Sequence, residues 1–302
     1  MKKILLALGA SLLLAGCSGS PFAAPTATST ATPQPPTETA TVTLTPTITP
    51  TYTPSPLPTA TWVAQGPDHV FVPILLYHRI SVSPIGSRYY VPPDVFDAQM
   101  KLLHDWGYQT IKIDMLLKAI EEGASLPPRP IILTFDDGHL DNYTTALPIL
   151  QKYGFTGVEY LVVNFIGVEG YMNVDQIKEL AAAGWEMGSH SMNHWDLPKQ
   201  EAVVQRSEVV NSREQLEQTI GVPMLTFAYP FGAASSGVID YVKFAGYTAG
   251  MGLGYTADQG TSNLFYLQRR EIYGYLDVKG FSAFLPWQGD LEDLSVITTV
   301  IP

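Results

Sequence analysis

Two adjacent carboxylates, Asp136 and Asp137, close an apolar run at residues 131–135 and are followed at once by Gly138. Carboxylates this close repel each other unless a cation or a proton lies between them. One can hold a metal while its neighbour, turned differently, acts as a base; a solvated loop would also carry the pair. A second segment, His190-Ser191-Met192-Asn193-His194, follows a strand-like stretch ending in Gly188-Ser189. Two imidazoles four residues apart can meet one cation from a helical turn. With a carboxylate such as Asp137 they form a His₂Asp set that leaves one position open for water, as catalytic metal sites do. A third segment, Phe227-Ala228-Tyr229-Pro230-Phe231-Gly232, runs from a strand into a Pro/Gly turn and by itself is equally a plain loop.

The elements that must position these groups alternate in type. Residues 70–77 form an apolar run whose Pro73 marks a strand end or edge. Asp94 is placed to cap a helix through Phe96, Met100 and Leu103 to Gly107. Residues 131–135 predict a short buried strand, followed by a helix over 143–153. A strand over 158–163, a helix over 174–183 stopped by Gly184 and a strand over 185–189 follow. A long amphipathic helix spans 201–220 and stops at Gly221 and Pro223, and segments 225–229 and 238–244 continue the alternation. Strand and helix taking turns predicts parallel βα units, as a barrel or an open sheet. In such folds the sites gather where the strands end, which is where all three polar segments fall.

The rest of the chain narrows the function classes. Its 302 residues carry a net charge of −11, and the 236 residues after Gly66 hold 15 basic and 27 acidic groups. That balance argues against nucleic acid and against polyanionic substrates, which require a basic face. The one cysteine, Cys17, rules out an internal disulfide framework and a Cys-rich metal site. Lys2 and Lys3 precede an apolar run over residues 4–14, laid out as a secretory signal and too short to span a bilayer. It ends Leu14-Ala15-Gly16-Cys17, which resembles the bacterial lipobox and implies cleavage before Cys17 and lipidation there. From Pro21 to Thr61 the sequence has 15 Thr and 10 Pro. Repeated Thr-Pro units exclude helix and bury too little apolar surface to fold. The expectation is a semi-extended tether reaching on the order of 100 Å at about 3.1 Å per residue. The domains expected are thus a signal peptide over 1–16, a lipidated cysteine and linker over 17–66, and a folded domain over 67–302.

Within that domain, Thr134-Phe135-Asp136-Asp137-Gly138, the HSMNH segment and Phe227 through Gly232, in this order and spacing, resemble the signature blocks of the polysaccharide deacetylase (NodB-homology) family. The similarity spans roughly residues 70–290 and includes Asp175 through Gly188. It implies a distorted (β/α)7 barrel in an α/β fold. It implies Asp136 as general base, and one divalent metal held by Asp137, His190 and His194, zinc first, with cobalt, nickel or iron as alternatives. Tyr229, Pro230 and Phe231 become substrate and oxyanion contacts. Many relatives supply a late histidine as general acid, yet no histidine follows His194 here. Pro73 through Ile80 (PILLYHRI) resembles the opening strand of the permuted branch, which includes the poly-β-1,6-N-acetylglucosamine deacetylases. There the acid arrives from the first strand, and the match is His78; a structural strand-end histidine is the alternative. The arginine common at the third block is Ala228, so Arg269, or its neighbour Arg270, is expected to support Asp136. Glu159 stands where relatives are usually apolar, without an evident reason, and His139 lines either the pocket or a surface loop. Tyr77, Tyr229, Phe231 and Trp195 are candidates to stack on sugars.

Together these imply an exported enzyme, lipid-anchored to a bacterial membrane and facing the outside or the periplasm. It would remove acetyl groups from an extracellular or cell-envelope polysaccharide, N-acetylglucosamine-type first, with no nucleic acid and no obligate protein partner. The competing readings are an O-acetyl xylan esterase and a non-catalytic glycan-binding lipoprotein on the same fold.

Overall fold

The computed structural model describes residues 62–289. Seven parallel strands close a barrel: β1 (Ile74–Tyr77), β2 (Pro130–Asp137), β3 (Val158–Leu161), β4 (Glu186–Ser189), β5 (Thr226–Ala228), β6 (Ala249–Leu253) and β7 (Leu267–Glu271). Each pairs with its successor in sequence, and β7 returns to β1 through Arg270↔Leu75 and Glu271↔Leu76. The helices are α1 (Pro93–Asp105), α2 (Ile113–Glu122), α3 (Leu147–Lys152), α4 (Val174–Ala182), α5 (Ala202–Ile220), α6 (Ser236–Phe244) and the short α7 (Val278–Ser282). The expected (β/α)7 barrel is the observed fold.

Period-two alternation separates two apolar layers. Ile74, Ile132, Val158, Tyr160, Ala228, Ala249, Met251 and Leu267 pack together in one buried cluster. Leu75, Tyr77, Leu133, Phe135 and Leu161, the intervening residues, pack in another with Phe96, Met100, Ile177 and Leu216 from the helices. The first cluster fills the barrel, so residues two or four further along these strands point into it as well. That register carries Asp136 from Ile132, Arg269 from Leu267, and His78 from Ile74.

Several boundaries differ from expectation. Residues 70–77 are two elements: His69–Phe71 pairs antiparallel with Asp258–Gly260, and β1 starts after Pro73. Pro73 interrupts the ladder because it has no N–H to donate. Asp94 does not cap α1; Pro92 is the N-cap, without a side-chain bond, and Asp94 lies in the first turn. The helix expected over 143–153 begins with a π-helical turn, Asn142–Ala146, that runs into α3. Val63–Gln65, within the segment expected as tether, pairs antiparallel with Ala124–Leu126. Helix α5 ends where expected, at Gly221, whose φ of 85° favours glycine. The signal peptide, Cys17 and the Thr/Pro run lie outside the described residues.

Candidate active site at the strand ends

The three polar segments converge with His78 on one cleft of about 500 Å³ at the C-terminal end of the barrel. Its walls include His78, Asp136, Asp137, His139, His190, His194, Phe231, Arg269 and Glu271. Backbone strain concentrates here. Asp137, Ser191, His194 and Phe231 all take positive φ (80°, 71°, 58° and 60°), a conformation costly for residues with a Cβ. The surrounding fold holds them there, which is typical of a site whose geometry matters more than its local stability.

Asp136 is the innermost group. Arg269 grips it bidentately, Nη1 donating to Oδ1 at 2.7 Å and Nη2 to Oδ2 at 2.8 Å. Both side chains are buried, and Arg269 also donates to the Gly252 carbonyl and to Thr134. Burial opposes the carboxylate's charge, but Arg269 outweighs it and holds Asp136 below the usual carboxylate range. The choice between the two arginines follows from strand register: Arg270 points outward and lies over the Phe284 ring at 3.8 Å. The arginine that holds Asp136 thus comes from β7, while the third block carries Ala228.

Asp137, His190 and His194 form a second cluster, whose ligand atoms all lie within 4.8 Å of one another. His190 Nδ1 donates to the Ala228 carbonyl at 2.7 Å, which leaves Nε2 aimed at the carboxylates, 3.6 Å from Asp137 Oδ1. Burial pushes His190 down to about 4, so its ring is neutral and its lone pair free at physiological pH. His194 Nε2 lies 3.4 Å from the same Asp137 oxygen. That oxygen is buried and has no hydrogen-bond partner. A buried anionic oxygen without a donor, faced by two imidazole nitrogens, fits a divalent cation and is otherwise costly. The donor set of one oxygen and two nitrogens also suits such an ion. Burial again opposes the charge on Asp137, and the contact with His139 is the largest of the influences that hold its carboxyl below the usual range.

The HSMNH segment is not the helical turn its spacing suggests. Residues 190–194 form a loop in which the His190 N–H donates to the Leu161 carbonyl and side chains take the last three N–H groups: Met192 and Asn193 donate to Glu208 of α5, and His194 to Ser191 Oγ at 2.9 Å. Upstream, Gly188 allows the site to close, since a Cβ there would run into the Tyr160 ring.

A family model described as polysaccharide deacetylase matches residues 123–250. The crystal structure of BA0330 from Bacillus anthracis, assigned to that family, is 30% identical. The match covers 72% of this chain and 69% of that one, with a TM-score of 0.65. The chain belongs to the polysaccharide deacetylase family. The Streptococcus pyogenes deacetylase PplD, solved in complex with acetate, is 26% identical over 74% of this chain and 99% of its own, with a TM-score of 0.67. The poly-β-1,6-N-acetyl-D-glucosamine N-deacetylase of Staphylococcus aureus is 28% identical over 61% of this chain and 68% of its own. A model of prokaryotic membrane lipoprotein lipid attachment sites matches residues 1–18. The chain is therefore a polysaccharide deacetylase with a lipoprotein attachment motif at its N-terminus.

Within this enzyme, His78 sits on the cleft wall with its ring 4.8 Å from that of Tyr89 and its Nδ1 4.0 Å from Glu271 Oε1. Tyr77 and Tyr229 are not available to sugars. Both are fully buried, their hydroxyls donating to Gln99 and to the Phe265 carbonyl. Phe231 and Trp195 remain exposed, at 61% and 45%. Tyr89 and Glu271 line the cleft without having been singled out in sequence: closure of β7 against β1 brings Glu271 there, and the loop after β1 folds Tyr89 back beside Arg79. Glu159 now has a place: its Oε1 accepts from the Gly138 N–H at 3.1 Å and from Asn142 Nδ2 at 3.2 Å. A lone carboxylate in the apolar run after Val158 was the signal. Burial pushes this carboxyl well above the usual range where it braces the turn after Asp137.

Proposed function

We propose that the protein is a metal-dependent N-deacetylase of N-acetylglucosamine-type polysaccharide, exported and anchored to a membrane through lipidated Cys17. The observation that carries this is the juxtaposition of two unlike carboxylates in one cleft. Asp136 is clamped by Arg269, and Asp137 presents a free oxygen to His190 and His194. The named activity of the Staphylococcus aureus relative supports the choice of substrate class.

Asp137, His190 and His194 would hold the ion. When bound, a divalent ion supplies Lewis-acid polarisation of the acetyl carbonyl and a lowered water pKa. Asp136 takes the proton from the attacking water, because Arg269 keeps it ionised and fixes both oxygens while one lone pair on each stays available. Phe231, whose ring lies 4.6 Å from that of His194 and whose backbone takes positive φ, would give its N–H to the developing oxyanion. His78 gives a proton to the leaving amine as the C–N bond breaks. Exposed Phe231 and Trp195 offer faces to neighbouring sugars.

The test is acetate release from a panel of N- and O-acetylated glycans, with metal content measured in parallel. About one divalent ion per chain is expected in the wild type, and a His190→Ala/His194→Ala double variant should lose both metal and turnover. Near-stoichiometric metal in that variant would refute the ligand set. Turnover confined to acetylated xylan would refute the substrate class.

For the anchor, Cys17→Ser should release the protein from membranes or stall its processing, as expected if acyl chains at that position hold it there. Recovery of the wild type wholly in the soluble fraction, with an unmodified N-terminus, would contradict the assignment.

A further inference from the structure

We propose that His139 is a positioning residue that fixes the Asp137 carboxylate so that one defined oxygen faces the metal. The proposal rests on the reading of Asp137, His190 and His194 as ligands. His139 follows the Asp137-Gly138 turn, in which both residues take positive φ (80° and 82°), and this reversal folds its side chain back over Asp137. Its Nε2 lies 3.3 Å from Asp137 Oδ2, while Oδ1, the other oxygen, faces His190 and His194. One oxygen is thus tied and the other free. His139 Nδ1 is buried without a partner, so Nε2 is the ring nitrogen that faces a partner, and that partner is Asp137 Oδ2.

The ring is itself held. It stacks on Tyr171 at 4.8 Å and 25°, and Tyr171 in turn lies 4.7 Å from Phe165. A backbone bridge joins His139 to Tyr171, and the Met172 and Leu140 N–H groups close the same contact on Gly138 and Gly170. Without a donor on Oδ2 the carboxylate is free to turn about its last bond, and its two oxygens become equivalent toward a cation. Outer partners that orient a metal ligand typically contribute about 10–100-fold to metal affinity.

Zn²⁺ and Co²⁺ affinities of the full chain, measured by competition with a chromophoric chelator, test this. His139→Phe keeps a ring against Tyr171 and removes the donor; it should weaken binding about 10–100-fold. His139→Gln places an amide nitrogen near the former Nε2 and should stay within about threefold, because it retains the donor. The visible spectrum of the Co²⁺ form, which reports coordination geometry, should change in the Phe variant and not in the Gln variant. His139→Asn, too short to reach Asp137, stands in should the Phe variant fail to fold, and it should behave as Phe does. Wild-type affinity in the Phe and Asn variants, or equal weakening in Phe and Gln, would overturn the proposal. His194→Ala distinguishes the underlying reading: undiminished affinity there would place the metal elsewhere and overturn both. Loss in His194→Ala with none in His139→Phe would overturn the role of His139 alone.

Discussion

His78→Ala is expected to lower kcat on an N-acetylated glycan by about 10²–10⁴-fold, the usual cost of losing a positioned acid. Metal content and thermal stability should stay near wild type, because His78 belongs to neither the ligand cluster nor the core. Its position follows from strand register: Ile74, Leu76 and His78 share one face, and the third emerges at the mouth of the barrel. The following residue pins the segment. Arg79 pairs with Asp141 at 2.8 Å, and the Ile80 N–H donates to the same carboxylate at 3.0 Å. Tyr89 packs on the imidazole from one side, and Glu271 stands 4.0 Å from its Nδ1. An amine must be protonated to leave, whereas the phenolate of an activated acetate ester leaves unaided. The variant should therefore keep most of its activity on an aryl acetate. Full turnover on the N-acetyl substrate, or loss of turnover only through loss of metal, would show that another group is the donor.

How far the site was legible in sequence depended on distance along the chain. Asp136 and Asp137 end β2, and His190 and His194 lie in the loop that follows β4; the apolar or small residues of these strands mark them, and the placement of sites at strand ends does the rest. Strands β6 and β7 were not legible. Residues 249–253 contain two glycines, because Tyr229 and Tyr266 press against the backbone there. Residues 267–271 carry three charges, because only Leu267 and Arg269 are buried, on the barrel side. Neither stretch shows the continuous apolar run expected of a buried parallel strand. The place of Glu271 depends on ring closure, which no local pattern encodes, and that of Tyr89 on a loop that folds back on Arg79. The HSMNH segment misled for a different reason: Glu208, on a distant helix, takes the N–H groups that a helical turn would otherwise have used.

The choice of Arg269 over Arg270 makes the second large effect calculable. Arg269→Met should destabilise the metal-stripped protein by about 3–5 kcal/mol, since removing one partner of a buried ion pair strands the other's charge. Little of the Asp136 carboxylate can be resolvated: it is 2% exposed, and the Arg269 side chain supplies both of its closest donors. For a domain of this size that corresponds to a fall in Tm of roughly 10 °C or more. Asp136→Asn alone leaves the guanidinium buried, though still bonded to Thr134 and the Gly252 carbonyl and stacked over Tyr160 at 5.2 Å, so its cost should be smaller. The double variant Arg269→Met/Asp136→Asn removes both charges and should recover most of the stability lost by Arg269→Met. The coupling energy of the cycle, read from urea unfolding, should therefore be large and favourable to the pair. The catalytic readout goes the other way: the double variant should be stable and inactive, because the base is gone. An additive cycle, with the double variant as unstable as the sum of the singles, would mean that Arg269 serves the packing of the barrel and not the charge of Asp136.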